Sequence, residues 1–387
     1  MLFLASQAIT LFGSSIVQFS IIWHVTRTTS SGLWVGLLSA SAYLPQFLVS
    51  LFAGAWADKY SKKALIIISD ASIAIATLAL YFLIPHLQDQ SILIALVIAS
   101  ALRSIGTGIQ APAVNAAIPL LASDEDLMKF NGINSTIQSL VQFAAPAAAG
   151  AIMSLGSLPQ ALLVDIATAA AGISLLGLVA IPYQRKESQS LALEIKEGLS
   201  YSHRNPHIGL VLFIYGLFIF LCVPAGFLAT LFVTRTYGDS YWYMTLVEVI
   251  GFIGMTLGGI LIGVWGGFPS RVKTLWTGLL SFGILAIGMG LVQSFTVYLV
   301  LMAIYGIALT MVQTACTTMI QENTAEEYRG RVFGLFSAMY SGFLPLGMLV
   351  FGPLADIMPM RGLMVGSGLL LAIMALAITA DRRLGKR

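Results

Sequence analysis

An all-α membrane protein, with twelve transmembrane helices in two pseudo-symmetric six-helix halves, is the fold this chain predicts. Apolar residues make up 58% of its 387 residues and charged residues only 10%, and the mean hydropathy is +0.89. A helix needs about 20 apolar residues to cross the hydrocarbon, so twelve spans use about 240 residues and leave no room for a soluble domain. The charges gather in short stretches between the apolar runs. The two halves also repeat each other in sequence.

Hydropathy and turn residues place spans near 2–25, 32–56, 64–84, 91–111, 127–153 and 160–181. A second set follows near 207–234, 242–265, 273–292, 296–319, 331–355 and 362–380. The first half is therefore 1–181 and the second 207–387, joined by a polar linker over 182–206. In the linker, Leu191, Ile195 and Leu199 recur every four residues opposite Glu194, Lys196 and Glu197. Two readings stand for it, a short helix lying on the membrane surface and a plain solvated connection.

The repeat appears when Trp265 is laid on Trp56. Gly263 then falls on Gly54, Ser270 on Ser61 and Arg271 on Lys62, while Gly267 takes the place of Asp58. A slightly different register, with Gly352 on Gly150, lays Glu326 and Glu327 on Asp124 and Glu125. It also sets Arg331 on Lys129, Gly334 on Gly132 and Ser337 on Ser135. Each match alone is weak; together they indicate two parallel copies.

Lysine and arginine set the expected orientation. One set of alternate loops carries Lys59, Lys62, Lys63, Lys129, Arg185, Lys186, Lys196, Arg204, Arg271, Lys273, Arg329 and Arg331, and the C-terminal tail adds Arg382, Arg383, Lys386 and Arg387. The opposite set holds only Arg27, Arg235 and Arg361. The positive-inside rule puts both termini and the linker in the cytoplasm. The net charge of +3 is too small to point to nucleic acid. Cys222 and Cys316 both fall inside apolar runs, which indicates neither a disulfide framework nor a metal site. His203 and His207 are spaced for one helix face, but Pro206 interrupts it, so no metal is expected. His24, at the outer interface, reads as a snorkelling side chain. Met1 runs directly into Leu2, Phe3, Leu4 and Ala5 without a basic n-region, so no cleavable signal peptide is expected. No phosphate-binding Gly-x-x-x-x-Gly-Lys-Ser/Thr loop, His-Glu-x-x-His or Gly-x-Ser-x-Gly motif occurs, so neither an enzyme nor a bound cofactor is expected.

The most informative segment runs from Gly54 through Ala57, Asp58 and Lys59 to Lys62 and Lys63, a polar hinge between the second and third spans. It resembles the signature of the major facilitator superfamily, with Trp56, Lys59 and Ser61 in place of the family's leucine, arginine and glycine. The resemblance implies the major facilitator fold and a conformational role for the hinge. Asp58 would face the N-terminus of span 11, near Arg329 and Gly330, whose dipole favours a carboxylate. Lys62 and Lys63 would hold the loop to lipid phosphates or acids. The family usually carries a short basic tail before the first span, so a longer native N-terminus is expected.

Leu102, Arg103, Gly106 and Gly108 in span 4 resemble the family's arginine motif, with Gly106 where many members have glutamine. An arginine in hydrocarbon costs about 2.5–3.5 kcal/mol on insertion scales, so Arg103 should face the interior with a partner. Asp70 is the candidate. It lies six residues into span 3, about 9 Å from the cytosolic edge, and Arg103 lies about 12 Å from the same edge. Both a static ion pair and proton coupling remain open. Glu248 in span 8, which lines the central cavity of this fold, is the candidate proton- or cation-binding group. The competing reading has it hydrogen-bonded to a tyrosine of span 7. Asp165 in span 6 is expected to serve packing first, with proton coupling or a buried ion pair as the alternative.

Span 5 carries Ala144, Ala145, Pro146 and Gly150, similar to an antiporter element of the family in which small residues allow close approach and the proline bends the helix. The stretch from Arg103 to Pro119, with Glu197, Gly198, Leu199, Tyr201, Arg204, Asn205 and Pro206 of the linker, resembles the macrolide-efflux branch of the drug:proton antiporters. The resemblance implies a proton-coupled exporter in a bacterial cell membrane, whose partners are an amphipathic small molecule, protons and lipid, and which acts as a monomer. Siderophore, lipid and nutrient carriers share the fold and stay open as alternatives, as does a non-transporting membrane sensor.

Overall fold

The computed structural model describes residues 1–121, 126–182 and 199–380, and within them the side chains of Asp58, Met128, Glu327 and a few small residues lie outside the description. Among the described residues all of the regular structure is helical. The helices are α1 (Leu2–Thr29), α2 (Gly32–Lys59), α3 (Lys62–Leu83), α4 (Gln90–Leu121), α5 (Leu127–Leu155) and α6 (Leu158–Gly177). The second series is α7 (Pro206–Leu221), α8 (Ala229–Thr236), α9 (Tyr241–Trp265), α10 (Arg271–Leu291), α11 (Phe295–Asn323), α12 (Arg329–Ile357) and α13 (Met360–Ala380). Among the described residues, 11 helices are long and apolar enough to cross a membrane. With no water in the bilayer to satisfy backbone groups, a continuous helix is the form that such apolar runs must take.

The twelfth span is the pair α7 and α8. A single helix over 207–234 was expected, but the chain leaves α-helical geometry between Leu221 and Ala229. Pro224 has no amide hydrogen to give to the preceding turn. The freed backbone finds other partners: Leu228 N donates to Val223 O (2.9 Å), and the Tyr305 hydroxyl donates to Cys222 O (3.3 Å). These substitutions are what allow a proline break at membrane depth.

The sequence repeat reappears in the helix boundaries. The register that lays Trp265 on Trp56 also sets the first residues of α9 and α10 on those of α2 and α3. The register that lays Gly352 on Gly150 sets the starts of α12 and α13 on those of α5 and α6. Even the caps correspond: Ser61 accepts from Ala64 N (3.4 Å) at α3 and Ser270 from Lys273 N (3.4 Å) at α10, each satisfying a helix-start amide.

Two expected boundaries move. The hinge after span 2 is shorter than its ten-residue motif, because α2 stays helical through Lys59 and only Tyr60 and Ser61 separate it from α3. Span 4 was expected to end at 111, before Pro112, yet α4 continues through Pro112 to Leu121. Of the expected surface helix in the linker, Leu191 and Ile195 lie outside the described residues, and Leu199 opens a helical turn over 199–204. Asp124 and Glu125 also lie outside them.

By contact the chain forms two compact units. The first holds the described residues within Met1–Thr29, Leu37–Leu191 and Ser240–Thr245. In it α1 packs on α5 and α6, and α3 on α4 and α6. Phe3, Leu4, Ile66, Ala113, Val114, Ile118 and Leu176, from α1, α3, α4 and α6, form a buried apolar core. The second unit holds Ser30–Gly36, the described residues of Ala192–Asp239, and Leu246–Arg387 as far as described. There α10 packs on α11 and α13, and α7 on α11 and α12. Its core is aromatic: Phe218 meets Phe282 edge-on at 4.9 Å, and Tyr215 stacks on Phe336 at 4.0 Å.

Candidate transport site

Intramembrane charges carry the chemistry of such a bundle, because each is costly unless paired or used. In the first unit they form two layers. In the upper layer, Arg103 of α4 donates to the Asp165 carboxylate of α6 and to the Thr77 hydroxyl of α3, and to the Ser14 carbonyl of α1 (3.2 Å). The Ser14 hydroxyl donates to Asp165 Oδ1 (3.0 Å), and the Thr77 hydroxyl lies 2.8 Å from Asp165 Oδ2. Arg103 is 5% exposed and Asp165 1%. Four helices thus meet on one desolvated, fully bonded ion pair.

This corrects the expected pairing. Arg103 makes no ion pair with Asp70; its partner is Asp165, the residue assigned to packing. The reason is depth. Because α4 ends at Leu121, Arg103 sits 18 residues from that end, about 27 Å at 1.5 Å per residue, rather than about 12 Å. The antiparallel register of α3 and α4 then sets Thr77, not Asp70, beside Arg103.

Two turns further along the same pair, Asp70 meets Gln110. Gln110 Nε2 donates to Asp70 Oδ1 (2.7 Å) and lies 3.5 Å from Gln7 Oε1 of α1. Asp70 is 4% exposed, and its second oxygen, Oδ2, has no hydrogen-bond partner among the described residues, nor has the neighbouring Ser69 hydroxyl. A buried carboxylate half satisfied by a neutral amide can take up a proton without breaking an ion pair. Asp165, by contrast, has both oxygens engaged.

In the second unit Glu248 lies about two turns into α9 from its start at Tyr241. No hydrogen bond or ion pair reaches it among the described residues. The expected bond to a tyrosine of span 7 is therefore not formed. The buried hydroxyl of Tyr298 of α11 also lacks a hydrogen-bond partner among the described residues.

Of the hinge residues, Lys63 Nζ donates to Gly177 O (2.7 Å) at the C-terminal end of α6, where the helix dipole favours a cation. Lys62 is buried at 8% exposure. The Asp58 side chain lies outside the described residues. Pro146 lies inside α5, and Gly150 closes on Thr245, whose hydroxyl a Cβ at that position would strike. Sequence reasoning missed Thr77, Ser14 and Gln110, ordinary polar residues that gain meaning only from helix register. It also missed Asp356, although that acid stands at the end of span 11 and Arg235 is one of three basic residues in the sparse loops.

Among the described residues, eleven helices long and apolar enough to cross a membrane, with buried carboxylates and a sequence-repeated plan, define a multi-pass membrane protein. The comparisons give the family. The sequence profile of the Major Facilitator Superfamily matches residues 3–345, and the chain belongs to that superfamily. Among curated proteins it is 27% identical over 378 residues to macrolide efflux protein A of Streptococcus pyogenes, covering 96% of this chain and 93% of that one. It is 25% identical over 364 residues to the multidrug efflux pump Tap of Mycobacterium tuberculosis, covering 89% and 83%. Among solved structures, a D-xylose-proton symporter matches with a TM-score of 0.75 at 17% identity over 99% of this chain and 98% of that one, which shows the fold.

Proposed function

We propose that this protein is a proton-coupled exporter of amphipathic, cationic or macrolide-like small molecules, working by alternating access of two six-helix halves. These would be 1–181 and 207–387, joined by 182–206, with both termini in the cytoplasm. The observation that carries the coupling is Glu248, an intramembrane carboxylate without a partner among the described residues. An unpaired charge there is costly and protonation removes the cost. A cationic substrate removes it as well, so proton and substrate compete for one group. Asp70, with one free oxygen, is the second protonatable group. The Arg103–Asp165 pair holds α1, α3, α4 and α6 together. The export direction and the substrate class are supported by the names of the efflux relatives.

The energetics suffice. One charge moved through 100 mV supplies about 2.3 kcal/mol, enough for roughly a 50-fold gradient. Asp58, at the end of α2, latches one state against the N-terminus of α12, and Lys62 and Lys63 anchor the hinge. Pro146 and Gly150 support the antiporter reading of α5.

The test is a susceptibility profile of a pump-deficient bacterial host expressing the chain. Raised tolerance to macrolides or to cationic amphiphiles, lost in Glu248→Gln, is the expected result. An unchanged profile across both classes, with the protein present in the membrane, would contradict the proposal.

A further inference from the structure

The richest unassigned polar cluster lies in the second unit, where the first turn of α2 meets the end of α12. The Asp356 carboxylate caps α2: Oδ1 accepts from Gly32 N (2.7 Å), and Oδ2 from Leu33 N (2.8 Å) and the Ser31 hydroxyl (2.8 Å). Arg235, at the end of α8, braces the cap. It donates from Nη2 to Asp356 Oδ1 (2.6 Å), from Nε to Ser30 O (2.9 Å) and from Nη1 to Ala355 O (2.6 Å). Ser30 itself is held at φ +47°, a left-handed geometry that a serine rarely adopts. Below the cap the two backbones touch. A Cβ on Gly32 would strike Gly352 O, and one on Gly36 would come within 2.6 Å of Met348 O.

Free amides at a helix start need acceptors, and a carboxylate there is favoured by the dipole as well. Usually the acceptor is the residue just before the helix. Here Ser31 Oγ accepts from Trp34 N at 3.5 Å, but the Gly32 and Leu33 amides are capped from another helix more than 300 residues away, so that part of the cap exists only while α2 and α12 are in contact. A cap supplied this way is a clasp.

We infer that Asp356, braced by Arg235, is a releasable clasp that holds the first turn of α2 against α12, and that it opens and recloses in each transport cycle. Under the orientation predicted from the basic residues, this end faces outward. The clasp is then the inverted counterpart of the Asp58 latch: each of the two helices ends in an aspartate that caps the start of the other. That reciprocity rests on the reading of Asp58 given above; the clasp itself does not. Clasp and latch would favour opposite states, one closed outside and the other closed inside. The glycines Gly32, Gly36 and Gly352 permit the close approach that brings carboxylate and amides together.

The test uses the full chain in right-side-out vesicles, with Val35→Cys as a reporter. Val35 is fully buried one turn beyond the clasp. The probe is a membrane-impermeant maleimide added outside, and the native Cys222 and Cys316, both buried, give the background. Slow labelling is expected with the clasp intact, and about tenfold faster labelling with Asp356→Asn, from the loss of a cap of ordinary strength. Arg235→Gln, which leaves the cap and removes its brace, should accelerate labelling less, and covers the case in which Asp356→Asn fails to fold. Gly36→Ala, which wedges the contact without touching a charge, should accelerate it too. Asp58→Asn should slow it if the inner latch is real. Faster labelling in the clasp variants with no effect of Asp58→Asn would uphold the clasp and remove the latch. Unchanged labelling in Arg235→Gln and Gly36→Ala, with Val35→Cys reactive after denaturation, would overturn the clasp.

Discussion

Replacing Asp165 by Asn should destabilise the first unit more than any other single isosteric change in it. The substitution keeps the side chain's shape and leaves Ser14 and Thr77 in place, but it removes the carboxylate that neutralises Arg103. The guanidinium is 5% exposed and is held by α1, α3 and α6 together, so it cannot swing to water. Stranding one partner of a buried pair costs about 3–5 kcal/mol. At about 2 °C per kcal/mol for a chain of this size, the apparent unfolding midpoint in detergent should fall by about 6–10 °C. Adding Arg103→Met should recover a large part of the loss, with a coupling energy of at least about 2 kcal/mol. Asp70→Asn and Arg103→Met should couple by less than about 0.5 kcal/mol. Tryptophan fluorescence against temperature on purified protein reads wild type, the three single variants and the two doubles. Equal midpoints for wild type and Asp165→Asn, or a larger coupling of Arg103 with Asp70, would refute the reasoning.

Other outcomes follow from the same geometry. Asp58→Asn should abolish export while leaving expression and substrate binding largely intact, measured by efflux and by binding to purified protein; export at the wild-type rate would remove the latch. Glu248→Gln should lose substrate-induced proton release from purified protein at mildly acid pH, and unchanged release would leave Asp70 as the coupling group. Gly150→Val drives side-chain atoms into Thr245 and should cost about 1–3 kcal/mol by overpacking. A midpoint unchanged by that substitution would show that α5 does not hold this contact.

The fold was legible because the membrane restricts the answer to apolar helices. Even the repeat could be found from glycine, serine and tryptophan positions, and the starts of α2, α3, α5 and α6 recur in the second half in the same registers. What escaped was depth. Span 4 was expected to end at 111, yet a proline inside a membrane helix is tolerated where neighbours satisfy the freed carbonyl, and α4 runs on through Pro112 to Leu121. That one boundary moved Arg103 by about ten residues relative to the end of its helix and so exchanged its partner, Asp165 for Asp70. The break between α7 and α8 escaped for the opposite reason: Pro224 sits in an unbroken apolar run, and its consequence depends on a carbonyl that Tyr305 reaches from α11. Asp356 escaped because its capping partners include the Gly32 and Leu33 amides, which carry no sequence signal, and because its pairing with Arg235 spans more than 100 residues.

The central claim, that proton movement drives export, is tested most directly in everted membrane vesicles with an acid interior. A macrolide or cationic amphiphile added outside should be taken up while protons leave, so its addition should dissipate the pH gradient. The response should be present in wild type, absent in Glu248→Gln, and abolished when an ionophore collapses the gradient beforehand. Uptake that persists at an undiminished rate after that collapse, with no proton movement on substrate addition, would contradict the account.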